Sequence, residues 1–297
     1  MEQLATTTWR IAPGRVLSLD ASNGPCVMGI LNVTPDSFAD GGQFFDAGRA
    51  IEAGLLMASE GASIIDIGGE STRPGASPVP AHEQIRRVIP VIAELAKRLP
   101  WACVLSIDTT IAEVAARSLD AGAAIINDTS AGRDDVGMLP LAALRGCGLI
   151  LMHRHGPPAL DRFSDQYTPA KPAPLAGDVV AVVRSFLRGR METAVAAGVD
   201  REAIVIDPGL GFGKSVDQNL GLIGATASLL ALGGPLLSAL SRKSFVGRIG
   251  LGRDSAPEER LVPSLALSVV HARLGARIFR VHDVGPHVQA LRAALAL

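Results

Sequence analysis

Cysteine is scarce in this chain, and long apolar runs are missing. Cys26, Cys103 and Cys147 are the only thiols among 297 residues, and each stands alone in apolar surroundings. Such cysteines are usually buried small hydrophobes, because a disulfide framework or a zinc cluster requires pairs at short spacing. No stretch approaches the roughly 18 apolar residues of a membrane span, and the first residues lack the apolar centre of a signal peptide. We therefore expect a cytoplasmic protein without a membrane partner.

An excess of charge of either sign is also missing. The 28 basic and 29 acidic side chains give a net charge of -1. No overall field would hold nucleic acid or an anionic membrane, so an anionic ligand must be met by local groups. A chain of this length can bury one large core or two small ones.

Near-continuous aliphatic runs recur along the chain, each followed by a plausible helix. Strands buried on both faces have this pattern, which is typical of a parallel sheet covered by helices. The evenness of about eight such units favours a single α/β TIM barrel, (β/α)8, over a doubly wound open sheet. We predict an N-terminal extension over 1–24 and the barrel over 25–297. The runs lie at 25–33, 60–70, 103–109, 121–130, 147–153, 197–209, 235–241 and 274–284.

Polar residues end almost every run. In a TIM barrel the active site lies at the C-terminal face of the strands, so these side chains are expected to converge. Their number and mixed charge favour a polar small-molecule site over chance turns. They are Asn32, Asp66, Glu70, Asp108, Asn127, Asp128, His153, Asp207, Arg242, Lys243, Arg280, His282 and Asp283.

Several of these residues also have a plainer interpretation. Asp66 and Asp128 are expected to cap local backbone, and Asp108 is as well explained by an N-cap as by function. His153 with His155 is interpreted as a ligand contact or surface feature rather than a metal pair, because no cysteine or carboxylate cluster accompanies it.

The stretch IVIDPGLGFGKS (204–215) imitates a phosphate-binding loop. That loop requires G-x-x-x-x-G-K-[ST], and its first glycine would fall on Pro208. Proline lacks an N–H and its fixed φ opposes the wrap around phosphate, so this interpretation fails. We expect Asp207 to end a strand, the glycines to bend the chain, and Lys214 and Ser215 to lie at the rim in solvent.

Two further loops are rich in small residues. Residues 68–77 (GGESTRPGAS) carry Thr72 and Arg73 and could form an anion-binding nest or a plain turn. Residues 32–42 (NVTPDSFADGG) place Phe38 among polar neighbours, which suggests a lid.

Seven segments occur in order along nearly the whole chain: MGILNVTPDSFADGG, IIDIGGESTRPGA, SIDT, IIND, IDPGLGFGK, SRKSFVG and RVHDV. With them the chain resembles the dihydropteroate synthases of folate biosynthesis. The resemblance implies a TIM barrel, usually a homodimer. It also implies condensation of 6-hydroxymethyl-7,8-dihydropterin diphosphate with 4-aminobenzoate, assisted by Mg²⁺, to give 7,8-dihydropteroate and diphosphate. Sulfonamides mimic the aminobenzoate.

The same resemblance implies roles for individual residues. Asp108, Lys243, Arg280 and His282 would be catalytic, in a pocket that stabilises a pterin cation as diphosphate departs. The pterin would be bound by Asp108, Asn127, Met152, Asp207 and Lys243. The diphosphate would be held by Thr72, Arg73, Arg280 and His282, and by Asn32 through Mg²⁺. The aminobenzoate slot would comprise Phe38, Thr72, Pro74, Phe212 and Ser244.

The chain departs from the family pattern at three positions. Ile111 stands where a lysine is usual, Arg154 replaces a second methionine, and Thr129 replaces an aliphatic residue of the pterin pocket. Two alternatives stay open: a non-catalytic pterin-binding paralogue and a pterin-dependent methyltransferase. The segments STRPG, SRKS and RVHDV argue against the methyltransferase, which needs no diphosphate loops.

Overall fold

A computed structural model describes residues 8–34 and 47–296. Two short strands, β1 (Thr8–Ala12) and β2 (Arg15–Ser18), form an antiparallel hairpin. Eight more strands follow: β3 (Cys26–Asn32), β4 (Ile64–Gly68), β5 (Val104–Asp108), β6 (Ile125–Asp128), β7 (Gly148–Met152), β8 (Ile204–Asp207), β9 (Leu237–Ser238) and β10 (Ile278–Val281). The helices are α1 (Ala47–Ser59), α2 (Ala81–Arg98), α3 (Ala112–Ala121), α4 (Met138–Arg145), α5 (Val179–Ala196), α6 (Val216–Gly224), α7 (Thr226–Leu230), α8 (Ser244–Leu251), α9 (Leu261–Arg273) and α10 (Val284–Leu295).

The strands β3 to β10 form one closed parallel sheet. Their order is β8-β7-β6-β5-β4-β3-β10-β9, and all neighbours pair in parallel. A parallel bridge between Ile206 and Leu236 joins the two ends, where the Ile206 N–H donates to Pro235 O at 3.0 Å. The predicted TIM barrel is therefore confirmed, and each predicted run contains one strand.

Alternate side chains of the strands enter two different cores. One set fills the barrel interior and the other packs against the helices, because successive side chains of a strand point to opposite faces. Burial on both faces explains why the runs are almost continuously aliphatic. The interior includes Met28, Ile64, Val104, Ile125, Ile150 and Val205, and the helix-facing set includes Val27, Ile65, Leu105, Ile126, Leu149 and Ile206.

The N-terminal hairpin closes the bottom of the barrel. Trp9 and Ile11 are fully buried against the interior cluster. The Trp9 indole N–H donates to Ala203 O, just before β8, at 2.8 Å. This is the end of the strands opposite to their C-terminal edge, so the hairpin supports the core and leaves the upper face open.

The cysteines lie where their sequence context predicts. Cys26, Cys103 and Cys147 are buried and unpaired. Burial raises the pKa of each of the three thiols to about 12, so they are neutral small hydrophobes. Among the described residues, no helix is long and apolar enough to cross a membrane.

Candidate active site

A cavity of about 220 Å³ opens at the C-terminal ends of the strands. Phe38 lies outside the described residues. Asp108 accepts a hydrogen bond from Arg280 and does not itself line the cavity. The other predicted site residues all line it: Asn32, Thr72, Arg73, Pro74, Asn127, Met152, Asp207, Phe212, Lys243, Ser244, Arg280 and His282.

Arg280 of β10 links two buried carboxylates at the floor of the cavity. Its Nε donates to Asp66 Oδ2 and its Nη2 to Asp108 Oδ2, both at 2.6 Å. The Asn127 side chain also donates to Asp66 Oδ2, at 2.9 Å. The predicted capping of local backbone by Asp66 is therefore wrong, because its carboxylate holds two cavity side chains. Asp128 does cap local backbone, accepting from the N–H groups of Ser130 and Gly132.

Two carboxylates that share one guanidinium cannot both be ionised without cost. Burial, opposed by Arg280 and reinforced by Asp66, raises the pKa of Asp108 to about 7. Burial also raises the pKa of Asp207, against the attraction of Lys243. The cavity therefore has buried carboxylates whose ionised form a cationic partner would stabilise.

The glycine-rich loop after β8 forms one wall of the cavity. Gly209, Gly211 and Gly213 have φ values of 66°, 84° and 63°, a region in which residues with a Cβ are disfavoured. A Cβ at Gly209 would lie 1.8 Å from His153 O, and one at Gly211 would lie 2.7 Å from Lys243 Cδ. The predicted tight bend is confirmed, and the loop needs glycine both for its backbone angles and for its close contacts.

Lys243 packs against this loop. Its ammonium donates to Leu210 O and lies 4.5 Å from the centroid of the Phe212 ring. Burial lowers the pKa of Lys243 to about 8, against the attraction of Asp207. The cation, the aromatic ring and Asp207 therefore share one side of the cavity.

The prediction that Lys214 lies in solvent is wrong. Its side chain is fully buried, and its ammonium donates to Gly209 O at 2.8 Å and Phe212 O at 2.9 Å. Ser215 is the N-cap of α6, where its hydroxyl accepts from the N–H of Gln218 at 3.3 Å. Both residues of the apparent phosphate signature thus organise the loop and the helix.

The segment after β10 and the start of α8 also line the cavity. His282 Nδ1 lies 3.3 Å from Ser241 Oγ, and burial, aided by Arg280, lowers the pKa of His282 to about 3. Arg242 forms an ion pair with Asp283. The predicted helix start near Ser244 is confirmed, and Ser244 faces the cavity.

Besides Asp66, Asp108, Asp128 and Asp283, two more of the predicted strand-end residues do not line the cavity. His153 is buried with its ring edge-on to Phe186, 4.8 Å between centroids, and burial lowers its pKa to about 3. It is a core histidine, so its interpretation as a ligand contact or surface feature is wrong. Glu70 accepts from the Gln84 side chain of α2 at 2.6 Å. Neither residue lines the cavity.

The three departures from the family pattern differ in their positions. Thr129 lines the cavity. Arg154 is buried in an ion pair with Asp134 and does not line the cavity, and Ile111 is the N-cap residue of α3. Only Thr129, of these three, is therefore placed to alter the shape of the cavity.

Four residues of the cavity wall lie in segments that the sequence did not indicate as part of the site. Phe163 comes from the long loop between β7 and α5, and Pro257, Glu258 and Arg260 come from the turn before α9. These segments have no apolar period and carry no motif. Within residues 8–34 and 47–296, no group of three His, Cys, Asp or Glu side chains is placed to hold a metal ion.

The chain, a (β/α)8 barrel whose strand ends gather carboxylates, an amide and a lysine around one cavity, belongs to the class of pterin binding enzymes. The family model described as "Pterin binding enzyme" matches residues 28–282. The chain is 45% identical over 269 residues to the dihydropteroate synthase of Mycobacterium leprae (strain TN), covering 90% of this chain and 91% of that protein.

Similar solved structures belong to the same family. The Xanthomonas albilineans dihydropteroate synthase with 4-aminobenzoic acid is 44% identical with a TM-score of 0.86, covering 98% of each chain. The Yersinia pestis enzyme in a sulfonamide drug complex is 40% identical with a TM-score of 0.83, covering 96% of this chain and 97% of that one. The chain belongs to the dihydropteroate synthases. It is therefore a transferase of folate biosynthesis that forms 7,8-dihydropteroate, as the sequence predicted.

Proposed function

We propose that the cavity binds the reduced pterin through Asn127, Asp207 and Lys243, with Met152 against the face of the ring. The edge of a pterin presents several donors beside a carbonyl acceptor. Carboxylates and an amide accept from the donors, and the ammonium of Lys243 donates to the carbonyl. Selectivity follows because a mismatched ligand would leave buried polar groups unpaired.

Asp108 contributes charge to the reaction. Arg280 lines the cavity, whereas Asp108 does not, and the Arg280 guanidinium donates to Asp108 at 2.6 Å. We expect Arg280 to turn toward the diphosphate when the substrate binds. Arg280 then no longer neutralises the Asp108 carboxylate, and the negative charge of Asp108 acts on the pterin. The exocyclic C–O bond then breaks with its electron pair on the diphosphate, and Asp108 and Asp207 stabilise the cation that remains.

The diphosphate lies beside Thr72, Arg73, Arg280 and His282. Local guanidinium groups suffice for an anion even in a chain of net charge -1. Asn32 ends β3 and faces the cavity, and its amide oxygen is a suitable ligand for Mg²⁺. An ion that keeps water and substrate phosphate ligands needs only one or two protein oxygens. When bound, Mg²⁺ neutralises charge on the departing diphosphate.

The 4-aminobenzoate lies against Thr72, Pro74 and Phe212, with its carboxylate toward Ser244. Backbone N–H groups and the positive end of the helix dipole at the start of α8 favour that carboxylate. The arylamine is unprotonated at neutral pH, so its nitrogen attacks the cation without a strong general base. The new C–N bond leaves a positively charged nitrogen, which loses its proton to water. Sulfonamides, which mimic the aminobenzoate, should compete for the same slot.

A homodimer is the proposed assembly. Several apolar side chains of the neighbouring helices α8 and α9 are exposed, among them Ile249, Leu251, Val262 and Val270. A second copy would remove them from water. Light scattering should give twice the chain mass, and Val270→Asp should halve it. The three neutral, unpaired thiols suit the reducing cytoplasm that we propose as its location.

The convergence of Asn127, Asp207 and Lys243 on one cavity carries this proposal. A crystal structure with 6-hydroxymethyl-7,8-dihydropterin tests it. We expect the ring edge within hydrogen-bonding distance of Asn127 and Asp207. A pterin bound outside the cavity, or with its edge toward solvent, would overturn the assignment.

A further inference from the structure

Lys214 is a fully buried, charge-bearing residue outside the proposed catalytic set. Its side chain has no exposed surface. Burial lowers the pKa of Lys214 to about 7, against the attraction of Asp207. Burying an ammonium is unfavourable unless its donors are met, so its partners indicate what it does.

Three backbone carbonyls meet the three donors of this ammonium. Gly209 O and Phe212 O accept at 2.8 and 2.9 Å, and His153 O lies at 3.4 Å. A protonated lysine offers three N–H groups and no acceptor. Lys214 therefore joins both ends of the turn over 209–212 to the end of β7.

That turn carries the two groups that contact Lys243. Leu210 O accepts from the Lys243 ammonium, and the Phe212 ring lies 4.5 Å from the same nitrogen. Gly211 lies so close to the Lys243 stem that a Cβ would be 2.7 Å from its Cδ. A shift of the turn would therefore move Phe212 away from the Lys243 ammonium.

We infer that Lys214 is a positioning residue for the arylamine slot, which acts by fixing the turn that holds Phe212 against Lys243. It touches no substrate in this account. The inference rests on the proposed placement of 4-aminobenzoate against Phe212. It assigns a role to the lysine of the apparent phosphate signature: its ammonium binds backbone carbonyls of the enzyme itself.

The test is steady-state kinetics of full-length Lys214→Met, which keeps an apolar side chain of similar length and removes the donors. We expect KM for 4-aminobenzoate to rise about tenfold, a size typical of residues that act through a contact. KM for the pterin diphosphate should change less, because Asn127 and Met152 lie in strands and Lys243 is the N-cap residue of α8, whereas Phe212 belongs to the turn itself. Lys97→Met, on an exposed lysine of α2, is the matched control and should match wild type.

A double-mutant cycle separates this inference from the proposed slot. If Lys214 acts through Phe212, then Lys214→Met combined with Phe212→Ala should be no worse than Phe212→Ala alone. Additive effects would overturn the inference and leave the slot intact. An unchanged aminobenzoate KM in Phe212→Ala would instead overturn the slot.

Circular dichroism and gel filtration accompany the kinetics. We expect both to match wild type for Lys214→Met and for the milder Lys214→Gln. An equal rise of both KM values, or loss of folded protein in both variants, would show that Lys214 supports the fold in general and would contradict the inference.

Discussion

Replacing Asp108 by asparagine removes one charge from the floor of the cavity and nearly keeps the side-chain shape. If the carboxylate stabilises the pterin cation, kcat should fall about 10²- to 10³-fold, as when one preorganised contact to a transition state is lost. KM for the pterin diphosphate should change less, because Asn127, Asp207 and Lys243 still bind the ring. Asp217→Asn, the same change on the exposed first turn of α6, is the control.

The effect of Asp108→Asn should depend on pH. Burial raises the pKa of Asp108 to about 7, so its ionised fraction rises about tenfold between pH 6 and pH 8. The ratio of kcat/KM for the pterin diphosphate, wild type over variant, should rise by at least the same factor. Ionisation of the substrate and of Lys214 affects both proteins and cancels in this ratio. Burial lowers the pKa of Lys243 and the Asp108 charge raises it, so the variant loses protonated Lys243 at lower pH, which increases the ratio further at pH 8. A ratio that is constant with pH would refute the reasoning.

The free energy of unfolding gives an independent measure of the raised pKa of Asp108. A pKa raised from 3.8 to about 7 corresponds to about 4 kcal/mol. The folded protein binds this proton more tightly than the unfolded chain, so this group lowers wild-type stability as pH rises from 4 to 7. Asp108→Asn lacks the effect. The free energy of unfolding of the variant minus that of wild type, from urea denaturation, should therefore rise by about 4 kcal/mol between pH 4 and pH 8. A difference in the free energy of unfolding that stays the same between pH 4 and pH 8 would contradict the raised pKa of Asp108.

Three further predictions concern other parts of the molecule. Trp9→Ala should lower the free energy of unfolding by about 3–5 kcal/mol in urea denaturation, because the indole is fully buried, and a changed KM would contradict its purely structural role. His282→Gln should weaken binding of inorganic diphosphate equally at pH 6 and pH 8 in calorimetry, because the pKa of His282 is lowered to about 3; a larger loss at pH 6 would indicate a charged imidazole. Asn32→Ala should raise the Mg²⁺ concentration that gives half-maximal activity, and an unchanged titration would remove Asn32 as the ligand.

The barrel and the location of the site were predictable from local patterns. Strands buried on both faces leave aliphatic runs that need no knowledge of their neighbours. Once the runs are placed in a barrel, their C-terminal ends meet. Asn127 and Asp207 lie at the ends of aliphatic stretches within their runs, and Lys243 comes two positions after its run, which is why the sequence places them in the cavity.

Partners that are distant in sequence were not predictable. Asp66 and Arg280 are 214 positions apart, and nothing next to Asp66 distinguishes a buried ion pair from a local cap. Lys214 follows three glycines, a context typical of an exposed turn, and only the folded turn shows three carbonyls around its ammonium. Phe163 comes from a loop without periodicity, so no pattern indicated its position.

The most direct test of the account is product formation by the purified chain. We predict that 6-hydroxymethyl-7,8-dihydropterin diphosphate, 4-aminobenzoate and Mg²⁺ yield 7,8-dihydropteroate and diphosphate in equal amounts. We also predict that Asp207→Asn loses both products together. Tight pterin binding without release of diphosphate from the wild-type protein would contradict the account and indicate a non-catalytic paralogue.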